Sequence, residues 1–292
     1  MTLRTFISIV PFGWAMGLVF VLGAVDSALA QKPAAKAVQP LLLAANEGAA
    51  GNVDAIEIAL RYEGFKQVVE KALGVPLSLV AVRDAKVLRN SVETGAYALV
   101  LSRPVDVLAE AIRAHGYQPV VVAKETGQAL FIVSKDSPIK TIAQIRGKSI
   151  VTPDRYSYMW RIAAAMMRDN NILIAQQKVR SMRDQAAIGW SMENGFFDVG
   201  VVASFSGVGR TWEKRGGRVI ARSRDLPMVP LIASPKLSAA QIARVRAALI
   251  ALDSSEQGAA ILKQIGVPGF KETSPEPFLE LLKWLGELEI QK

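Results

Sequence analysis

Residues Ala85–Gly116 read AKVLRNSVETGAYALVLSRPVDVLAEAIRAHG. A helical pattern from Ala85 to Val92 stops at Gly95. The run Ala96–Leu101 is continuously apolar, as a parallel strand buried on both faces requires. Val105–Ala114 is helical again and ends at Gly116, with Pro104 where a first helical residue is favoured. A buried strand between two helices is the unit of a doubly covered sheet.

The same alternation extends in both directions. Upstream, Leu41–Ala45 is a short strand that runs into Asn46-Glu47-Gly48. Ala55–Leu73 is a helix whose apolar residues Ile58, Tyr62, Phe65, Val69 and Leu73 fall at steps of three or four. Gly74 and Pro76 stop it, and Leu77–Val82 is the next strand. Downstream, Val120–Ala123 and Ala129–Ser134 are strands. A second αβ series follows, with strands at Ser149–Thr152, Lys178–Ser181, Asp198–Ala203 and Arg218–Ala221. Its helices lie at Thr141–Arg146, Tyr156–Arg168, Gln185–Met192 and Val208–Lys214. The last third reads as almost wholly helical, over Ser238–Leu252, Glu256–Ile265 and Pro275–Leu288. No internal repeat is evident.

Composition narrows the chemistry. The chain has 292 residues, no cysteine and one histidine, His115. That excludes disulfides, Cys-ligated metals, thiol nucleophiles and any metal site needing two histidines from one chain. No metal or cofactor is expected. His115 ends a helix beside Gly116, a favourable place for a cation. The formal charge is +9, from 35 Lys+Arg against 26 Asp+Glu. Either the excess serves solubility and loose attraction to anionic surfaces, or it marks a basic cleft for a small anion. The basic residues are scattered, so no nucleic-acid partner is expected. Asp198, at a strand start, reads as structural.

The N-terminus carries Arg4, an apolar run from Phe6 to Val25, and then Asp26-Ser27-Ala28-Leu29-Ala30. This is the secretory signal pattern, with cleavage expected after Ala30 and a periplasmic destination. The rival reading is a retained anchor, since the run is long enough to span a bilayer. Gln31–Val38 reads as a linker.

Three stretches bear a family resemblance. Ser137-Pro-Ile-Lys-Thr-Ile-Ala-Gln-Ile-Arg-Gly-Lys-Ser-Ile-Val151 resembles the stretch that opens the second lobe of periplasmic solute-binding proteins. Asn194-Gly-Phe-Phe-Asp-Val-Gly-Val-Val-Ala203 resembles a strand of the same proteins. Leu252–Phe270 is similar to the C-terminal motif of the phosphate/phosphite/phosphonate ABC-transporter branch, and Tyr62–Gly74 fits that branch's first helix. The resemblance implies an α/β, two-lobed type II periplasmic-binding fold. Lobe one would comprise 39–136 and 226–292, and lobe two 137–225. It further implies a monomeric, non-enzymatic receptor that captures a small anion between the lobes. The receptor would deliver it to an ABC-transporter permease. Hinge bending is expected near Asp136-Ser137 and Asp225-Leu226-Pro227.

The implied contacts lie in four loops. Pro153-Asp-Arg-Tyr-Ser-Tyr158 resembles the family's serine-rich phosphoryl cradle. Ser157 matches the last serine, Asp154, Arg155 and Tyr156 replace hydroxyls, and Tyr158 replaces a glycine. Either Arg155 offers a guanidinium fork to the anion, or Asp154 caps the helix and Arg155 is solvated. Ser102 and Arg103 form the second loop, where Ser102 alternatively serves as an N-cap. Ser204 and Ser206 form the third, as donors or as turn residues. Asn46 is in the fourth, where Glu47 either meets an amine on the ligand or points away. Two other readings stand: a ligand-presenting sensor on the same fold, and a quaternary-amine receptor with Tyr156, Tyr158 and Trp160 as an aromatic cage.

Overall fold

The computed structural model describes residues 39–48 and 54–286. The expected signal segment and linker lie outside the described residues. No helix among the described residues is long and apolar enough to cross a membrane.

Eleven strands among the described residues form two sheets. The first contains β1 (Leu41–Asn46), β2 (Leu77–Ala81), β3 (Leu99–Ser102), β4 (Gln118–Ala123), β10 (Leu231–Ala233) and β11 (Phe270–Lys271), in the order β11-β4-β10-β3-β1-β2. The second contains β5 (Ala129–Val133), β6 (Ser149–Pro153), β7 (Lys178–Met182), β8 (Val199–Ala203) and β9 (Arg218–Arg222), in the order β7-β6-β8-β5-β9. Strands β2, β1 and β3 run parallel, as do β7, β6 and β8. The remaining pairs are antiparallel, so both sheets are mixed.

Each sheet is covered on both faces, which is why its strands read as unbroken apolar runs. In the first sheet Leu43, Leu99, Leu101 and Leu231 pack under α1 (Ala55–Leu73), α7 (Ala239–Ile250) and α8 (Glu256–Ile265). The alternate residues Ala44, Val100 and Ile232 pack under α2 (Ala85–Glu93) and α3 (Asp106–Ala114). In the second sheet Phe131, Val133, Ile150 and Val201 meet α4 (Tyr158–Asp169) and α9 (Glu276–Leu285). Leu130, Ile132, Val151 and Val202 meet α5 (Gln185–Glu193) and α6 (Gly207–Thr211).

Helix α1 forms where its spacing places it. Ile58, Tyr62, Phe65, Val69 and Leu73 are its buried stripe. Asp54 accepts from the Glu57 N–H at the start, and Gly74 closes the end at φ 73°. Burying each of these large side chains contributes about 1.5–3 kcal/mol.

Three placements differ from the sequence reading. Strand β5 belongs to the second sheet, paired with β8 and β9. The chain therefore first crosses between sheets at 124–128, ahead of the Asp136-Ser137 position. The return crossing, between β9 and β10, includes Asp225-Leu226-Pro227, and Gly127 and Leu226 exchange backbone hydrogen bonds of 3.1 and 2.9 Å there. A Cβ on Gly127 would lie 2.4 Å from Met228 Sδ and 3.0 Å from the Phe205 ring, so a side chain there would have to displace these neighbours. Strand β10 interrupts the supposedly helical last third. A three-residue run bracketed by Pro230 and Pro235 carries no periodicity, and its partners β3 and β4 are distant in sequence. Helix α9 packs Phe278, Leu281, Leu282 and Leu285 into the core of the second sheet, together with Ala109 of α3 and Val105 just before it. It thus touches elements of both sheets.

Asp198 is structural, accepting 2.8 Å hydrogen bonds from the Ser149 N–H and Oγ. The Ser149 backbone donor, chiefly, holds its carboxyl below the ordinary carboxylate range. A depressed folded pKa means the stabilisation is present above the unfolded value, near 3.9, and fades as pH falls through the folded one. Asp198→Asn should therefore be less stable than the parent at neutral pH, with the gap closing in acid. Urea midpoints measured across that range check this; a constant gap would remove the linkage.

Candidate functional site

Parallel strands present their carboxyl ends on one edge, and open α/β sheets bind ligands there. In the first sheet that edge carries the loops after Asn46, Ala81 and Ser102. In the second it carries those after Pro153, Met182 and Ala203.

Asn46 is buried, with Nδ2 donating to Val82 O at 2.7 Å and Oδ1 accepting from Gly48 N at 2.9 Å. It ties the ends of β1 and β2 together. Glu47 points away from solvent. It accepts from Tyr62 OH and Arg103 Nε, and lies 3.7 Å from Arg61. Burial, reinforced by the Glu47 charge, raises the Tyr62 phenol well above its usual value. Arg103 also donates to the Ile265 carbonyl at 2.7 Å. Its guanidinium is thus committed within the first sheet's side of the molecule. Ser102 is buried and donates to Pro104 O at 2.7 Å. The N-cap of α3 is Val105 rather than Ser102, with no side-chain cap hydrogen bond.

On the second sheet, Ser157 caps α4 by accepting from Trp160 N at 3.2 Å. Asp154 instead folds the loop, accepting from Tyr156 N at 2.9 Å. The Arg155 guanidinium lies 4.9 Å from the Tyr156 ring centroid. Tyr156 is 74% exposed, whereas Tyr158 is 8% exposed and packs in the core. The two tyrosines therefore do not join in one aromatic cage. Tyr158 OH is the one buried side-chain polar atom without a hydrogen-bond partner among the described residues. Burial, with the Asp106 charge, pushes its phenol well above the ordinary value. Ser204 Oγ accepts from Gln128 N at 2.9 Å, which anchors this loop to the crossing segment. Ser206 caps α6, accepting from Gly209 N at 3.0 Å, and donates to Ala203 O at 2.7 Å.

The hydroxyls expected to reach a ligand thus already hold their own loops. Among the expected residues, Arg155, Tyr156 and Ser157 stand together beside the N-terminus of a 12-residue helix, with Arg155 and Tyr156 exposed. Asn46, Ser102 and Arg103 gather at the first sheet's edge, but as internal ties.

Two arginines on these edges were not singled out from the sequence. Arg83 follows β2 and Arg183 follows β7; both are exposed. The missed signal is a repeat at a spacing of 100 residues. Arg83-Asp84, Ser91, Glu93 and Gly95 recur as Arg183-Asp184, Ser191, Glu193 and Gly195. Helices α2 and α5, each of nine residues, occupy the same place in the repeat.

The family model for the periplasmic substrate-binding protein of phosphonate ABC transporters matches residues 48–278. No curated protein matches the chain. Among solved structures, a Xanthomonas citri protein bound to ATP is similar with a TM-score of 0.69 and 15% identity, covering 85% of this chain and 97% of its own. PhnD1 of Prochlorococcus marinus, in complex with methylphosphonate, gives 0.66 and 12%, covering 84% and 97%. A binding-protein component of a phosphonate ABC transporter from Pseudomonas aeruginosa gives 0.61 and 16%, covering 84% and 85%. These likenesses establish the two-lobed α/β fold.

Proposed function

The chain belongs to the periplasmic substrate-binding family of phosphonate ABC transporters, and on that footing we propose that it captures a small organic anion between its lobes and hands it to a membrane permease. The observation that carries this reading is the family match over most of the chain, joined to the exposed Arg155-Tyr156 pair at the start of α4. The N-terminus of a helix favours anions through its free N–H groups and dipole. A guanidinium fork beside it suits phosphonate or carboxylate. The bulk of Tyr156 favours an organic body over a bare tetrahedral ion. The lobes hinge about the crossings at 124–128 and 223–230. An exported, periplasmic protein is the fitting context, and the family is one of transport receptors rather than enzymes.

A thermal-shift screen of methylphosphonate, succinate, phosphonoacetate, ATP and inorganic phosphate tests the reading. Ligand at about 100 times its dissociation constant adds about 2.7 kcal/mol of stability. Organic anions should raise the melting temperature, and inorganic phosphate should not. Arg155→Ala should weaken the best binder by about 1.5–3 kcal/mol. Small-angle scattering should show contraction on binding. A shift with inorganic phosphate alone would overturn the assignment of specificity to this loop.

A further inference from the structure

We propose that Arg83 and Arg183 are a matched pair of anion contacts, one on each lobe, and that the ligand is therefore a dianion. This rests on the interlobe reading above and names the residues and charge it requires.

The two arginines occupy equivalent places. Each follows an edge strand that runs parallel to its neighbour, β2 beside β1 and β7 beside β6. Each precedes an aspartate that caps the next helix. Asp84 accepts from Lys86 N at 2.7 Å and Val87 N at 2.9 Å, and Asp184 accepts from Ala186 N at 2.8 Å. The aspartates are thus committed to backbone N–H groups. Among the described residues neither Arg83 nor Arg183 takes part in any hydrogen bond, ion pair or ring contact.

The other carboxylates on the two edges are also engaged. Glu47 is held by Arg103 and Tyr62, Asp54 caps α1, Asp106 binds Arg161, and Asp154 binds the Tyr156 N–H. Arg83 and Arg183 thus carry guanidinium charges without a partner among the described residues, one per sheet, at positions the internal repeat makes equivalent.

The charge count follows from closure. Drawing the lobes around a ligand gathers both cations at one site, which is unfavourable unless the ligand carries compensating charge. With Arg155 at the same site, a monoanion leaves most of this positive charge unmatched. A dianion compensates more of it and offers oxygens to a fork from each lobe.

Calorimetry on the full mature chain tests this with paired probes in alkaline buffer. Methylphosphonate, which carries two charges there, is set against methanesulfonate, which carries one. Succinate is set against acetate, and ATP is included. The parent should bind the dianion of at least one pair about tenfold or more tightly than its monoanion. Arg83→Ala and Arg183→Ala should each weaken that dianion about tenfold or more, and the lysine replacements should recover part of the loss. In the double alanine variant the preference for the dianion should collapse. Both side chains are exposed, so circular dichroism should show the variants folded. Three results would overturn the proposal in distinguishable ways. Dianion binding unchanged in both alanine variants would make the arginines solvated surface charges and leave the receptor reading standing. Equal affinity for dianions and monoanions would remove the charge count alone. A parent that binds none of these anions would remove the receptor reading as well.

Discussion

Replacing Arg161 by alanine should destabilise the protein by about 3–5 kcal/mol, the cost of leaving a buried charge without its partner. Arg161 Nη1 lies 2.9 Å from Asp106 Oδ2 and 3.4 Å from Glu110 Oε1, and Nη2 donates to Gly286 O at 3.1 Å. The Arg161 and Asp106 side chains are 6% and 7% exposed. The pair joins α4, on the second sheet, to α3, on the first, so its loss should also loosen the packing between the two. The urea midpoint reads the effect directly. Arg161→Met combined with Asp106→Leu should recover most of the stability, because a buried pair can be replaced by apolar groups at little net cost. Tyr158→Phe should be neutral or slightly stabilising, since it removes an unsatisfied buried hydroxyl. A loss below about 1 kcal/mol for Arg161→Ala would mean that the site is solvated as a surface ion pair is.

Phe278→Ala should cost about 3–5 kcal/mol, the range for deleting a buried aromatic ring. Phe278 is fully buried in the core cluster that also holds Phe131 of β5, Ile162 of α4, Ala109 of α3 and Val105, the N-cap of α3. The ring is the first anchor by which α9 closes the core of the second sheet. The exposed neighbour Leu279 provides the control, and Leu279→Ala should stay within about 0.5 kcal/mol, as surface substitutions do. Similar losses at the two positions would show that α9 is not docked as described.

The two sheets have a shared logic that bears on both results. The parallel halves β2-β1-β3 and β7-β6-β8 are equivalent, and from β2 and β7 onward they keep a spacing of about 100 residues, so that Arg83-Asp84 recurs as Arg183-Asp184. Outside that repeat the lobes diverge. The edge strand β9 completes one sheet, whereas β10 and β11 complete the other. The C-terminal helix belongs to neither half of the repeat and fastens them together.

The alternation of helices and buried strands was legible in the sequence because it rests on local chemistry. Ala55–Leu73 carries its stripe, its Asp54 cap and its Gly74 stop within one contiguous segment, and the unbroken apolar run of β3 announces a strand covered on both faces. The family resemblance was legible for the same reason, since its motifs are contiguous. Strand β10 was not, because three residues between prolines become a strand only when β3 and β4 supply partners. The membership of β5 was hidden likewise. Its sequence fits either sheet, and only its pairing with β8 and β9 assigns it to the second. The candidate site divides in the same way. Residue type identified Ser102, Ser204, Ser206 and Asn46 as polar groups at strand ends. What such a group does depends on which backbone atom the fold brings to it: Ser102 and Ser206 donate to carbonyls of their own loops, Asn46 donates to Val82 O, and Ser204 accepts from the Gln128 N–H. Arg103 shows the limit most plainly: its charge was visible in the sequence, but Glu47, far away in the chain, takes it up through the packing of β1 beside β3.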